Sequence, residues 1–345
     1  MNYKTYKYWT KSIYLVDMKS YRGKIFGEIA EKGIAKYISQ GKNILIISNK
    51  KWLNTWVVCQ KCGHTPMCRY CDVPISYHLN LHNQIFGMCN VCKQVYQTID
   101  TCDNCGSSEL DTYWVGMQQI SDHLQINYNI KPYTISSTWL NSWNKATGFI
   151  SDMKTDGKVV IATSIITRID TKFDLVVVQN SWFWLHIPDY NSEYNNFQFL
   201  RDIVYNTDCN HIILQTHDPE NRIITSVASH SRDDFTTKDD EFRKKHIYPP
   251  YGEICVILYK NTIEERMFGV INKLYQEILI LKNTWWYEDI QVYAIPPLVY
   301  KMYNKYRYQI VIRWPHIRKL VDEIYLKLNP YKRWFKFDRW AKNTV

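Results

Sequence analysis

Eight of the ten cysteines stand in four CxxC pairs, Cys59/Cys62, Cys68/Cys71, Cys89/Cys92 and Cys102/Cys105, all within 47 residues. A two-residue gap lets both thiolates of one tight turn reach the same ion, and two such turns supply the four sulfurs of a tetrahedral zinc site. Gly63 and Gly106 each follow the second cysteine of a pair, where a left-handed backbone is commonly required. Eight thiolates make two zinc sites, with iron–sulfur or redox chemistry as the lesser alternatives. Spacing does not decide which pairs share an ion. One arrangement it allows is nested, with Cys59, Cys62, Cys102 and Cys105 outside and Cys68, Cys71, Cys89 and Cys92 inside. A four-cysteine site keeps no open position, and no general base stands beside either set. The two Zn2+ are therefore expected to be structural, contributing on the order of 10 kcal/mol per ion to a segment too small for its own core. His64, His78 and His82 are expected on the surface or in packing. Cys209 and Cys255 stand alone and read as small packed residues.

The elements around this segment read as α/β. A helix is predicted around 24–39 and a buried strand over 41–48. Beyond the cysteines a helix follows over 116–127, with strands over 158–163, 173–179 and 211–216. Short continuous apolar runs alternating with helices indicate a parallel sheet covered on both faces. The stretch from about Ser226 to Lys245 is polar and charged, and it ends in Tyr248-Pro-Pro-Tyr-Gly252, a rigid turn that marks a boundary. After it the order β-α-β-β-α-β is predicted over 253–338, a split βαβ arrangement with two helices on one sheet.

The 345 residues carry a formal charge of +10, and 15% are aromatic. A basic surface interleaved with Tyr and Trp suits a polyanion whose bases stack, namely single-stranded or forked nucleic acid. AT-rich coding alone also raises Lys and Tyr, which is the plainer reading. No run of about eighteen apolar residues occurs, so neither a membrane span nor a membrane partner is expected. The amino-terminal residues are polar and aromatic, unlike a secretory signal. The cytoplasm is the expected compartment, where thiols stay reduced.

A zinc module set into such a lobe, followed by a Tyr-Pro-Pro turn and a small α/β unit, resembles the C-terminal half of the primosomal protein N′ (PriA) family of replication-restart helicases. The residues that carry the resemblance are Ile13–Asp17, Ile46–Lys51, Cys68-Arg-Tyr-Cys-Asp72 with Tyr77-His78, Pro188-Asp-Tyr190, Phe197-Gln-Phe-Leu200, Tyr248–Gly252 and Tyr306-Arg-Tyr-Gln309. The resemblance implies a RecA-like second helicase lobe over 1–56 and 107–225, degenerate in its motifs. It further implies a zinc-binding insert over 57–106 and a C-terminal α+β domain over 246–345. It also implies the nested pairing of cysteines.

Departures from the family bear on activity. The sequence contains no GxxxxGK[ST] loop and no DExH-type motif, hence no phosphate cradle and no Mg²⁺ ligand. Where the family carries GTQMxxKGxDF, this chain reads Ala162–Lys172, with Thr163 retained, Arg168 for a lysine and both glycines gone. Where the family carries QxxGRxGR, Asp202–Cys209 has no arginine. Loss of such an arginine finger costs orders of magnitude in turnover. ATP is not expected as a cofactor, and no catalytic residue is assigned.

The expected role is therefore a DNA-binding protein of replication restart and primosome assembly, without an ATPase of its own. It would bind forked or single-stranded DNA and recruit primosome or single-strand-binding proteins. The phosphate contacts would come from Lys50, Lys51, Lys61, Arg69, Lys305, Arg307 and Arg313, with Lys42, Lys301, Arg318 and Lys319 nearby. One alternative is a part of an ATP-dependent 3′–5′ DNA helicase whose first lobe lies on another chain. A zinc scaffold that binds only protein is another.

Trp52, Trp114, Trp184 and Trp314 each fall where the family pattern has glycine. Glycine, at 12 residues, is about half the usual share of about 7%, and the 13 tryptophans would restore it. Two readings stand: UGA codons that the source organism reads as glycine, or ordinary divergence with genuine tryptophans. Sequencing the gene separates them, because UGG at those four positions rules out recoding.

Overall fold

The continuous apolar runs form the centre of one large sheet. The computed structural model describes residues 3–8, 10–21, 23–48, 57–79, 85–89, 91–112, 116–135, 157–163, 166, 172–181, 189–284, 290–314, 318–328, 335–339 and 341. The chain opens with β1 (Tyr3–Tyr8), β2 (Lys11–Asp17), α1 (Glu28–Ser39) and β3 (Ile44–Ile47). The cysteine segment adds β4 (Val57–Cys59), β5 (Ser76–Leu79), β6 (Ile85–Met88), β7 (Val95–Tyr96) and β8 (Leu110–Thr112). Then come α2 (Met117–Tyr128), β9 (Tyr133–Ile135), β10 (Val159–Ala162) and β11 (Lys172–Val178). After these lie α3 (Ser192–Arg201), β12 (Asp208–Thr216), α4 (Arg222–Ala228) and α5 (Arg232–His246).

Seven strands align in the order β1-β2-β12-β11-β3-β10-β9. Only β1, at one edge, runs antiparallel to its neighbour. Every residue of β3 and β10 is buried, as a parallel strand covered on both faces requires. On one face Leu45, Val160 and Val176 meet Phe197, Leu200, Ile223 and Phe235 of α3, α4 and α5. On the other, Ile46, Ile161 and Val177 meet Ala30, Ile34, Ile120 and Leu124 of α1 and α2. The buried Gln215 fastens the ends of the strands: its side-chain amide donates to the carbonyls of Ile25 and Gln179, and its oxygen accepts from the Gly27 N–H.

The polar stretch before Tyr248 is a packed helix. It holds the end of α4 and nearly all of α5, and Phe235 on α5 stacks on Phe197 with centroids 4.4 Å apart. A single buried aromatic in fifteen residues leaves too weak a periodic signal to read as a packed helix.

Beyond the Tyr-Pro-Pro turn lie β13 (Glu253–Asn261), α6 (Glu264–Thr284), β14 (Gln291–Ile295), β15 (Lys301–Met302), β16 (Lys305–Trp314), α7 (Arg318–Leu328) and β17 (Phe335–Asp338). The predicted order is present, with the two-residue β15 added. The sheet runs β14-β16-β13-β17, all antiparallel, and β15 pairs with β16. Met267, Ile271, Leu274 and Ile278 of α6 and Leu320, Val321 and Ile324 of α7 cover one face. On the other face Ile254, Val311 and Ala341 pack with Tyr190 and Tyr248 from the preceding lobe.

That junction is aromatic and charged. Tyr190 stacks on Tyr248 at 4.5 Å, and the Arg313 guanidinium lies 4.3 Å over the Tyr248 ring. Arg243 donates to Asp239 at 2.7 Å, to the Pro249 carbonyl at 3.0 Å and to Asn191 at 3.1 Å. Removing one partner of a buried pair leaves an uncompensated charge. Arg243→Ala is therefore expected to lower stability by about 3–5 kcal/mol in urea unfolding; a change below about 0.5 kcal/mol, typical of a surface substitution, would deny the pair a structural role.

Candidate metal centre

The four cysteine turns share one backbone frame. The N–H of each first cysteine donates to the carbonyl five residues on, from Cys59 to His64, Cys68 to Val73, Cys89 to Gln94 and Cys102 to Ser107, at 2.8 to 3.0 Å. Gly63 and Gly106 adopt φ of 72° and 70°, as their place after the second cysteine implied. Lys93 holds the same left-handed place in the third turn, with φ 63°. Its position after a CxxC pair was the signal for this strain, masked by a residue that ordinarily avoids it. Small sheets space the turns: β4 pairs with β8, and β5, β6 and β7 form a second sheet.

This frame gathers the sulfurs into two sets. Cys59, Cys62, Cys102 and Cys105 form one, and Cys68, Cys71, Cys89 and Cys92 the other, with all four Sγ of each set within 4.8 Å of one another. Individual separations are 3.5 Å for Cys59–Cys105, 3.6 Å for Cys62–Cys102 and 3.6 Å for Cys68–Cys92. Four sulfurs about 2.3 Å from a tetrahedral zinc lie about 3.8 Å apart; a disulfide would need about 2.05 Å. The nested pairing is thus the one the fold assembles, and its donor chemistry fits zinc.

Hydrogen bonds bias the thiols unequally. The backbone at His64 and the Asn104 amide hold Cys62 down at about 6. Burial disfavours a Cys68 thiolate, but the Tyr96 hydroxyl, 3.0 Å away, and the Tyr70 N–H bring it down to about 7. Burial raises Cys71, Cys89 and Cys92. The Ser107 backbone favours a Cys105 thiolate, yet the surrounding sulfurs push it up to about 12. Cys62 in the outer set and Cys68 in the inner are thus drawn toward the thiolate, and a bound divalent cation would deprotonate every ligand. Tyr96 also accepts from the Arg69 N–H at 3.0 Å. Nothing in the spacing of cysteines points to Tyr96 or Asn104, because both act through the fold rather than the motif.

His64 is half-buried; His82 and the His78 side chain lie outside the described residues. Cys209 and Cys255 are buried, and burial pushes the Cys209 thiol up to about 11 and raises Cys255 further.

The basic residues separate into several environments. Lys61 and Arg69 are exposed on the first and second turns, and Lys305 is exposed at the start of β16. Lys42 lies 3.8 Å from Asp174, and Lys301 sits over the Tyr306 ring. Arg307 is half-buried and donates to the Val299 carbonyl. Arg313 is only 9% exposed, held by Gln291 and the rings of Tyr248 and Tyr293. Lys50 and Lys51 lie outside the described residues, as do the side chains of Arg318 and Lys319. Of the four tryptophans in glycine positions, Trp52, Trp114 and Trp184 also lie outside them. Trp314 continues β16 opposite Glu253 in extended backbone, so no positive φ demands glycine there.

The structure brings two of the predicted basic positions together across the chain. The Asn304 N–H donates to the Tyr70 carbonyl at 2.8 Å, which places Arg69 and Lys305 one residue to either side of that bond. Comparison with known proteins agrees with the sequence resemblance. The chain is similar to Replication restart protein PriA. Identity to the Bacillus subtilis PriA is 23% over 319 residues, 89% of this chain and 38% of the relative. The Thermotoga maritima PriA is 22% identical over 330 residues, 93% of this chain and 43% of the relative. The Borreliella burgdorferi PriA is 26% identical over 266 residues, 74% of this chain and 39% of the relative. The chain thus spans about two-fifths of the length of the PriA relatives it matches. No protein-family model matches it. No helix among the described residues is long and apolar enough to cross a membrane.

The purified chain is expected to carry two zinc ions by elemental analysis, and Cys89→Ser to carry one. Tyr96→Phe keeps both ions but weakens the inner one by about 10- to 100-fold in competition with a chelator, the usual cost of losing an outer-shell partner.

Proposed function

We propose that the chain is a DNA-binding component of replication restart and primosome assembly, acting on forked or single-stranded DNA without an ATPase of its own. Its similarity to PriA over about nine-tenths of its length supports the process. The observation that carries the binding mode is the seam between the second cysteine turn and the C-terminal unit. There Arg69 and Lys305 flank one hydrogen bond, and Tyr70 and Tyr303, 44% and 57% exposed, stand beside them. Exposed cations supply phosphate contacts and exposed rings supply stacking platforms, the combination that holds single strands without reading sequence. Lys61 extends the positive charge along the insert. Arg307 and Arg313 are engaged in packing and are left out of this surface. Zinc in this reading is structural, holding Arg69 and Tyr70 on a rigid turn. The sequence offers neither a phosphate-cradling loop nor an arginine finger, so ATP turnover forms no part of it.

Anisotropy titration of a labelled forked duplex tests the reading. Affinity is expected to fall steeply with salt, and Arg69→Glu with Lys305→Glu to reduce the slope of log K against log salt by about 2. No binding at low salt, or an unchanged slope in the double variant, would sink it.

A further inference from the structure

Three of the four cysteine turns close on themselves. Gly63, Lys93 and Gly106, each one place after its second cysteine, return their N–H to the carbonyl of the first, at 2.8 to 2.9 Å. All three need a left-handed backbone to do so. The second turn is different. Asp72 occupies the equivalent place but lies outside the left-handed region among the described residues. Its N–H instead donates to the Lys301 carbonyl, 2.8 Å away.

Lys301 begins the hairpin of the C-terminal unit, where β15 turns into β16. Tyr303 and Asn304 form a two-residue turn with φ of 52° and 57°, the geometry that matches strand twist in tight hairpins. This turn points its polar backbone at the inner cysteine set. The Tyr303 N–H donates to the Cys71 Sγ at 3.4 Å, and the Asn304 N–H to the Tyr70 carbonyl. The Tyr303 hydroxyl donates to the Val91 carbonyl at 3.0 Å, inside the third turn. Both turns of the inner set are therefore bonded to the hairpin. The outer set is bonded from within the insert, by Asn104 and the backbone at His64.

We propose that the Lys301–Lys305 hairpin is an outer-shell part of the inner metal site, so that retention of the inner zinc and docking of the C-terminal unit are one linked equilibrium. An N–H donated to a coordinating thiolate disperses the charge on sulfur, and the turn above it blocks a chelator from the ion. By linkage, whatever factor docking adds to metal affinity, the metal adds to docking. Tyr303 is a positioning residue here, acting on the ion through Cys71.

The test uses the full zinc-loaded chain. Excess EDTA and N-ethylmaleimide are added, and alkylation of each cysteine is followed by mass spectrometry, with the outer set as internal reference. Tyr303→Pro removes the N–H and cannot adopt a positive φ. It is expected to expose Cys68, Cys71, Cys89 and Cys92 about 10- to 100-fold faster, leaving the outer four unchanged. Asn304→Gly alone preserves the turn, its N–H groups and the Tyr303 hydroxyl, and should stay close to the unsubstituted rate. An unchanged inner set, a parallel rise in both sets, or no protection of the inner set in the unsubstituted chain would overturn the proposal. A second measurement leaves the hairpin sequence untouched. In Cys89→Ser, hydrogen exchange in peptides spanning Lys301–Tyr306 should rise about tenfold or more while β13 stays protected, the change expected when one net hydrogen-bond energy is lost. Equal exchange, or a parallel loss across β13, would overturn it. No nucleic acid enters either measurement, so the result is independent of the DNA-binding proposal.

Discussion

Two sets of four sulfurs must each converge within one coordination sphere, in a segment whose own apolar core, among the described residues, is little more than Val57, Ile75 and Tyr77. Burial of three side chains, worth a few kcal/mol each at most, does not offset the entropy of ordering about forty residues. Metal coordination by the two sets would supply the missing free energy, on the order of 10 kcal/mol per ion. The nested pairing also sets the geometry of the rest. The outer set joins the first and last turns and, with the β4–β8 pair, closes the insert at its base. The inner set shapes the tip. The chain leaves the large sheet after β3 and rejoins it at β9, after α2.

The tip then becomes a docking point. The C-terminal unit is anchored twice, at the stacked Tyr190 and Tyr248 beside α5 and at the hairpin against the second and third cysteine turns. A two-point attachment restrains rotation in a way that one aromatic stack does not. It also brings residues from widely separated parts of the chain into one surface, with Arg69 and Tyr70 from the insert beside Tyr303 and Lys305 from the hairpin.

The formal charge of +10 is a poorer guide to that surface than it looks. Arg243 and Arg313 are spent on the junction between lobe and C-terminal unit, over tyrosine rings and against buried acceptors. Guanidinium suits this work because its flat, weakly hydrated face stacks while its edges donate. Lys61 and Lys305 stay at the surface, where a compact hydrated charge costs less. Counting basic residues cannot separate the two uses. Their positions relative to Tyr190, Tyr248 and Tyr293 can.

Much of the architecture was legible in the residues alone, because local physics fixes it. CxxC spacing demands tight turns, continuous apolar runs such as Ile44–Ile47 and Val159–Ala162 demand strands covered on both faces, and the β-α-β-β-α-β order follows from periodicity. Glycine after a second cysteine announced a left-handed backbone that Gly63 and Gly106 adopt. Which turns pair was not legible from spacing, since any two lie close enough in sequence to share an ion. Nor was α5 as a packed helix, with one buried aromatic in a charged run. The tertiary structure alone decided that the second cysteine turn is completed by a hairpin more than two hundred residues away. That bond runs between backbone groups, which every residue carries alike, so no choice of side chain records it.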